Sequence, residues 1–298
     1  MERPFILHMI TPLKHVSPFD VNMALDAGYH AVVPYTNVEL AEVTRLIQDA
    51  IFSRGPKGAK RTGFFIGGRD AILALDMLAA AKKAMFPPFQ VSVFADPAGS
   101  FTTAAALVAC VEKQLTKAHG LDLSGRRVCV FGATGVVGFA AGVIAARQGA
   151  QVTLAGYDGV ARVEKKAAEA KERFDVDLAF ADASSDSLKD GLLADTEVIL
   201  CAGRAGTQVL SRSQVRAAAG LKVVADVNAV PPEGVEGVGI MDDGAERDGT
   251  SAVGIGAMAV GNIKYQVESA MFRLMIEADD PAYLDFSDAF KDARERVG

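Results

Sequence analysis

Residues 128–138 read Val128-Cys129-Val130-Phe131-Gly132-Ala133-Thr134-Gly135-Val136-Val137-Gly138. An apolar run enters a glycine turn, and a helical pattern follows from Val137 to Gln148. Aligned on its last two glycines, the stretch is AxGxxG, with Gly132 just before the usual first glycine. Gly132 lets the strand turn sharply, Gly135 leaves room for a pyrophosphate against the backbone, and Gly138 lets the helix pack closely. The amides and partial positive charge of the helix N-terminus then face the phosphates. A second strand is expected at Gln151–Ala155, and an acid follows at Asp158. Strand, glycine turn, helix, strand and acid in this order predict a dinucleotide-binding unit. A glycine turn that binds nothing is the plain alternative. There is no GxxxxGK[ST], which disfavours a P-loop.

Tyr157 and Asp158 fall where the adenosine ribose is expected. A carboxylate there accepts the ribose hydroxyls and repels a 2′-phosphate, favouring NAD. Arg162, one helical turn on, is either a phosphate partner that admits NADP or a solvated helix residue.

Working outward, the C-terminal alternation continues with helix Val160–Phe174 and strands at Asp177–Ala181, Val198–Cys201 and Lys222–Asp226. Pro231–Thr250, rich in glycine and acid, reads as loop with room for a short strand. Helices are expected at Ala257–Glu277 and Phe286–Arg296. Toward the N-terminus, strands at Phe5–Ile10, Ala31–Pro34, Phe64–Ile66 and Val91–Phe94 alternate with helices at Asp20–Asp26, Leu40–Ile51, up to Met85, and Thr102–Lys117. Asp20 is read as the cap of the first helix, and Pro87-Pro88 as the stop of the third. The fold class is therefore α/β with two domains. Residues 1–120 form an N-terminal α/β domain, and residues 121–262 a Rossmann-type parallel-sheet domain. Residues 263–298 are expected to pack back on the first.

The chain has 298 residues, half of them hydrophobic, which is enough to bury two cores. A net charge of −6 gives no general reason to bind nucleic acid or an anionic membrane. No apolar run reaches membrane-spanning length, and the N-terminus lacks a signal-peptide pattern. Cys110, Cys129 and Cys201 are scattered among apolar neighbours, which fits reduced thiols in the cytoplasm. No His/Cys cluster has metal-ligand spacing, so no metal is expected. The four histidines show no partner pattern, and His8 reads as a packed strand residue. Neither GxSxG nor HExxH occurs, so a hydrolase has little support.

Other polar loops follow strands. Ala202-Gly203 are small enough to let backbone amides approach a cofactor. Asp226 and Asn228 either contact the nicotinamide or brace their loop through Asx-turns. In the first domain, Asp96 ends a strand and leads through Gly99 to Ser100 and Thr102, either of which can cap the next helix. Capping leaves Asp96 unexplained. Lys264, on composition alone, is a solvated lysine.

Together, Phe64–Asp70 (FFIGGRD), Asp96–Thr103 (DPAGSFTT), Gly132–Gly138, Ala202-Gly203, Val224–Pro232 (VADVNAVPP) and Gly254–Lys264 resemble the NAD(P)-dependent methylenetetrahydromethanopterin dehydrogenases of methylotrophic bacteria. The resemblance covers nearly the whole chain. It implies hydride transfer from methylene-tetrahydromethanopterin to NAD or NADP, giving the methenyl form in formaldehyde oxidation. One branch of the family, strictly NADP-dependent, carries a basic residue after the second strand. Tyr157-Asp158 here resembles the branch that accepts both nucleotides. The product cation is delocalised over two nitrogens and no hydroxyl proton leaves, so no His or Tyr base is required. Asp20 and Asp96 are then expected to meet the pterin and its cation, with Gly99, Ser100 and Thr102 beside them. Lys264 falls at the family's active-site lysine, and an Asp–Lys arrangement is expected because a lone lysine disfavours a neighbouring cation. The family also suggests a homo-oligomer, a trimer or hexamer. The rivals are a methylenetetrahydrofolate dehydrogenase and a non-catalytic NAD(H)-binding regulatory module.

Overall fold

A computed structural model describes residues 3–247 and 249–298; Asp248, within the expected 231–250 loop, lies outside them. The chain divides into two compact units, one holding residues up to Thr102 with Tyr265–Asp292, the other Thr103–Lys264 with Ala293–Gly298. The sequence reading sets its boundaries at 120/121 and 262/263. The structure passes between units within three helices, at 102/103, 264/265 and 292/293, where no change of composition marks the point.

The first unit is built from β1 (Ile6–Ile10), α1 (Pro18–Asp26), β2 (Ala31–Tyr35), α2 (Val43–Ala59), β3 (Thr62–Ile66), α3 (Ala71–Lys83) and β4 (Ser92–Ala95). The helix α4 (Ser100–His119) leaves it for the second unit. There lie β5 (Arg127–Phe131), α5 (Val136–Arg147), β6 (Gln151–Gly156), α6 (Ala161–Phe174), β7 (Ala179–Asp182), α7 (Asp186–Leu193), β8 (Val198–Cys201), α8 (Arg212–Ala217), β9 (Val223–Asp226), β10 (Asp243–Glu246) and β11 (Val253–Ile255). The long α9 (Ala257–Glu277) leads back to β12 (Tyr283–Leu284) and α10 (Phe286–Val297).

The first unit's sheet is parallel throughout, in the order β12-β4-β3-β1-β2. In its register His8 lies opposite Val33 and Phe64. His8 stacks on the Phe64 ring with centroids 4.9 Å apart. Burial, then the charge of Arg54, lowers its pKa to about 4, so it packs as a neutral ring. The core below is aromatic: Phe272 of α9 meets Phe65 at 5.3 Å, Phe94 at 5.4 Å and Tyr29 at 6.4 Å between centroids. Each such burial is worth about 2–3 kcal/mol.

The second unit's sheet runs β10-β11-β9-β8-β5-β6-β7. Only β10 is antiparallel to its neighbour. From β7 through β11 this is the doubly wound order, whose reversal lies between β5 and β8. Ligands of such sheets bind beyond the carboxyl ends of the strands at that reversal. α5 is buried along most of its length because Gly138 and Gly142 remove side chains where it crosses the sheet. A Cβ on Gly142 would lie 3.3 Å from Leu154.

Two local expectations are corrected. Ser17, not Asp20, caps α1: the Ser17 hydroxyl accepts the Asp20 amide at 3.4 Å, and Pro18 opens the helix. The second helix runs beyond Ile51 to Ala59, interrupted at Gly55 with φ +63. The sequence reading also passes over α7, α8, β11 and the two-residue β12. These are short, and β12 is held by pairing with β4.

Candidate functional site

The second unit carries the dinucleotide geometry. Gly132 follows β5 with φ +76, a conformation that favours glycine. A side chain there would run into the carbonyl of Ala202, so the loops after β5 and β8 touch backbone to backbone. The Gly135 amide donates to the Gly132 carbonyl at 3.0 Å, closing the turn. A Cβ on Gly138 would stand 2.5 Å from the Gly132 oxygen, so α5 sits directly on the loop. Gly135 differs: it is exposed, and its Cβ would meet only the Gly132 oxygen, at 3.3 Å. That open space above the N-terminus of α5 fits a pyrophosphate. Ala133 is buried beneath the turn, while Thr134, Val136 and Val137 are half-buried at its rim.

At the end of β6, Gly156 and Gly159 form a tight turn; Gly159 has φ +102, and a Cβ on Gly156 would collide with the Gly159 carbonyl. Arg162 Nη1 donates to Tyr157 Oη at 2.8 Å and to Asp158 Oδ2 at 3.1 Å. All three side chains are exposed. The hydrogen bond to Asp158 and then that to Tyr157 raise the pKa of Arg162.

Asp226 and Asn228 brace their loop. Asp226 Oδ1 accepts the Asn228 amide and Oδ2 the Val235 amide, each at 3.0 Å. Asn228 Oδ1 accepts the amides of Val230 at 2.9 Å and Gly206 at 3.2 Å, and its Nδ2 donates to the Pro232 carbonyl at 2.8 Å. These are the Asx-turns that the sequence reading weighed against nicotinamide contacts. Burial is the main cause raising the Asp226 pKa, against the lowering by these amides. The loop meets that of Ala202-Gly203 through Gly206, at the carboxyl edge where a nicotinamide is expected.

In the first unit the polar residues gather at the carboxyl ends of the strands. Asp96 follows β4 and is fully buried. Its Oδ1 accepts the Phe101 amide at 2.7 Å, and its Oδ2 accepts the Thr102 hydroxyl at 2.6 Å. The sequence reading looks to Ser100 or Thr102 for the cap of α4. The structure corrects this: Asp96, left unexplained there, supplies the anion at that helix N-terminus. Gly99, at φ +62, makes the turn between them, and Ser100 and Thr102 are buried. Asp20 is buried in the first turn of α1, which follows β1. Gly68 passes Pro12 with φ +134, which brings the loops after β3 and β1 together.

Lys264 is half-buried on α9, at the last residue before the chain re-enters the first unit. One turn later lies Glu268, fully buried, on the same helix face. The sequence reading missed this carboxylate. The i,i+4 spacing from Lys264 was its available signal. Among the described residues, no group of three or more His, Cys, Asp or Glu could hold a metal ion. None of the described helices is long and apolar enough to cross a membrane.

Residues 18–98 match the family described as methylene-tetrahydromethanopterin dehydrogenase, N-terminal. Over 293 residues the chain is 51% identical to the NAD(P)-dependent methylenetetrahydromethanopterin dehydrogenase of Methylorubrum extorquens, covering 98% of this chain and 99% of that one. It is 31% identical over 279 residues to bifunctional protein MdtA of the same organism, covering 94% of each. Among solved structures, shikimate 5-dehydrogenase from Listeria monocytogenes, in complex with shikimate and NAD, aligns with a TM-score of 0.55. At 15% identity over 99% of this chain and 96% of that one, the likeness is one of fold.

Proposed function

The chain belongs to the family of NAD(P)-dependent methylenetetrahydromethanopterin dehydrogenases, and from that premise we propose how its residues divide the work. It is an oxidoreductase that passes a hydride from methylene-tetrahydromethanopterin to NAD or NADP. The observation that carries this is identity at half of all positions along nearly the full length. The nicotinamide, when bound, supplies the hydride acceptor.

The glycine turn at 132–138 holds the pyrophosphate. Asp158 accepts the ribose hydroxyls, and the braced loop at 226–235 borders the nicotinamide. On the substrate side, Asp20 and Asp96 place negative charge at the carboxyl edge of the first sheet. Both are buried, so solvent screens them weakly, and a cationic methenyl product is stabilised by their field. Asp96 also fixes the backbone of Gly99, Ser100 and Thr102 as a rigid wall for the pterin. Lys264 orients the substrate, with a carboxylate compensating its charge. No residue need remove a hydroxyl proton, and what the chain supplies is position and electrostatics. We place the reaction in formaldehyde oxidation in the cytoplasm, in keeping with three buried free thiols, and expect a trimer or hexamer, which sedimentation tests.

The test is the initial rate of reduced-nicotinamide formation with methylene-tetrahydromethanopterin or methylene-tetrahydrofolate, each with NAD or NADP. Turnover of the methanopterin substrate with both nucleotides is expected. Turnover of folate alone keeps the chemistry and changes the carrier. No turnover with NADH binding intact points to a regulatory dinucleotide module.

A further inference from the structure

A site that serves both NAD and NADP faces opposed demands at one atom. A ribose 2′-hydroxyl is best met by a carboxylate, which repels a 2′-phosphate; a guanidinium does the reverse. Both groups are present at the end of β6, and they hold each other. Arg162 Nη1 reaches Asp158 Oδ2 at 3.1 Å and Tyr157 Oη at 2.8 Å.

We propose that Arg162 is an exchangeable partner that selects between the two nucleotides: it stays on Asp158 when NAD is bound and turns to the 2′-phosphate when NADP is bound. This rests on the dinucleotide assignment made above and assigns a residue and a movement within it.

Three features carry the inference. The Arg162–Asp158 pair is exposed and spaced i,i+4, a kind of ion pair that is held weakly. Exchanging it for a doubly charged phosphate is therefore cheap, as dual use requires. Both hydrogen bonds are made by Nη1. A guanidinium has five N–H donors, so the rest of the fork is suited to phosphate oxygens. Tyr157 gives the cation a second hold, since the Arg162 Cζ lies 5.6 Å from the centre of its ring. On leaving Asp158 the guanidinium thus remains placed beside the ribose rather than lost to solvent. The first turn of α6 adds to this, because Val160 at its cap makes no side-chain hydrogen bond and the helix end favours negative charge.

The experiment measures binding without turnover. By titration calorimetry, 2′,5′-ADP and 5′-AMP are added to the full-length wild type, Arg162→Ala, Asp158→Asn and the double variant. All the changes are on exposed side chains, so folding is preserved. Arg162→Ala is expected to weaken 2′,5′-ADP by about tenfold or more, with 5′-AMP changed about twofold or less. Asp158→Asn is expected to strengthen 2′,5′-ADP and weaken 5′-AMP. The double variant is expected to bind 2′,5′-ADP as poorly relative to Asp158→Asn as Arg162→Ala does relative to wild type. If the double variant instead matches Asp158→Asn, Arg162 merely neutralises Asp158 and the exchange is wrong. Equal loss of both probes in Arg162→Ala, or no loss of 2′,5′-ADP, also overturns it. A wild type that binds neither probe removes the dinucleotide assignment beneath it.

Discussion

The carboxylate of Asp96 and the hydroxyl of Thr102 meet at 2.6 Å inside the protein, and neither residue is open to solvent. This pairing ties the end of β4 to the start of α4 and sets the loop between them. Thr102→Val keeps the shape and removes the donor, leaving a buried carboxylate short of one bond. Its expected cost is about 1–3 kcal/mol, read as a lower urea midpoint at unchanged slope. Asp96→Ala strips the Phe101 amide of its acceptor as well and is expected to cost more. An unmoved midpoint in Thr102→Val would show that the pair adds nothing to the fold.

Gly135 and Gly138 separate binding from folding. A methyl group on Gly135 meets one carbonyl oxygen at 3.3 Å and otherwise projects into the space assigned to pyrophosphate. Gly135→Ala is expected to keep its melting temperature and to bind NADH about tenfold more weakly or worse. A methyl group on Gly138 meets backbone at 2.5 Å, so α5 must lift off its strand. Gly138→Ala is expected to lose about 1–3 kcal/mol of stability along with binding. Equal melting temperatures for the two variants would contradict the packing role of Gly138.

What was legible in the sequence was what local chemistry writes. The turn at Gly132, the helix and strand after it, and the alternation of β and α follow from periodicity and from glycine's freedom. The unit boundaries left no trace because the chain crosses within α4, α9 and α10, in stretches like those on either side. The role of Asp96 was hidden because its partners are a backbone amide and a hydroxyl whose approach depends on Ala98 and Gly99 turning at positive φ. Asp226 and Asn228 were legible only as a choice: the same i to i+2 spacing serves a turn or a ligand. β12 could not be read at all, since two residues have no period and only the edge of β4 makes them a strand.

Lys264 is the last residue of the second unit's stretch of α9, and the buried Glu268 lies one turn on. If Lys264 orients the substrate, removing it should slow the chemical step. Lys264→Ala is expected to lower kcat by about 100-fold or more, with NADH affinity unchanged. Lys264→Arg is expected to recover little, since a planar guanidinium does not replace a compact ammonium. An unchanged kcat in Lys264→Ala takes the residue out of the site.

The three cysteines set an alkaline limit. Burial pushes the thiols of Cys129 and Cys110 up to about 12, in Cys110 with help from Asp243, and raises Cys201 by burial and then by Asp226. Unfolded thiols ionise near their ordinary value of 9.0. Between that value and the raised one the native state holds protons that the unfolded state has released. Stability is thus complete below about pH 9 and falls as pH rises, by about 1.4 kcal/mol per unit for each thiol. Cys129→Ala is expected to flatten this decline by one thiol's share, after its own fixed packing loss, in urea titrations across the alkaline range. The same burial predicts that a thiol reagent leaves the native protein unlabelled at pH 8 and modifies all three cysteines in urea. Fast labelling of the native protein would mean that at least one of these thiols is reachable and ionised, against the packing that places them in the core.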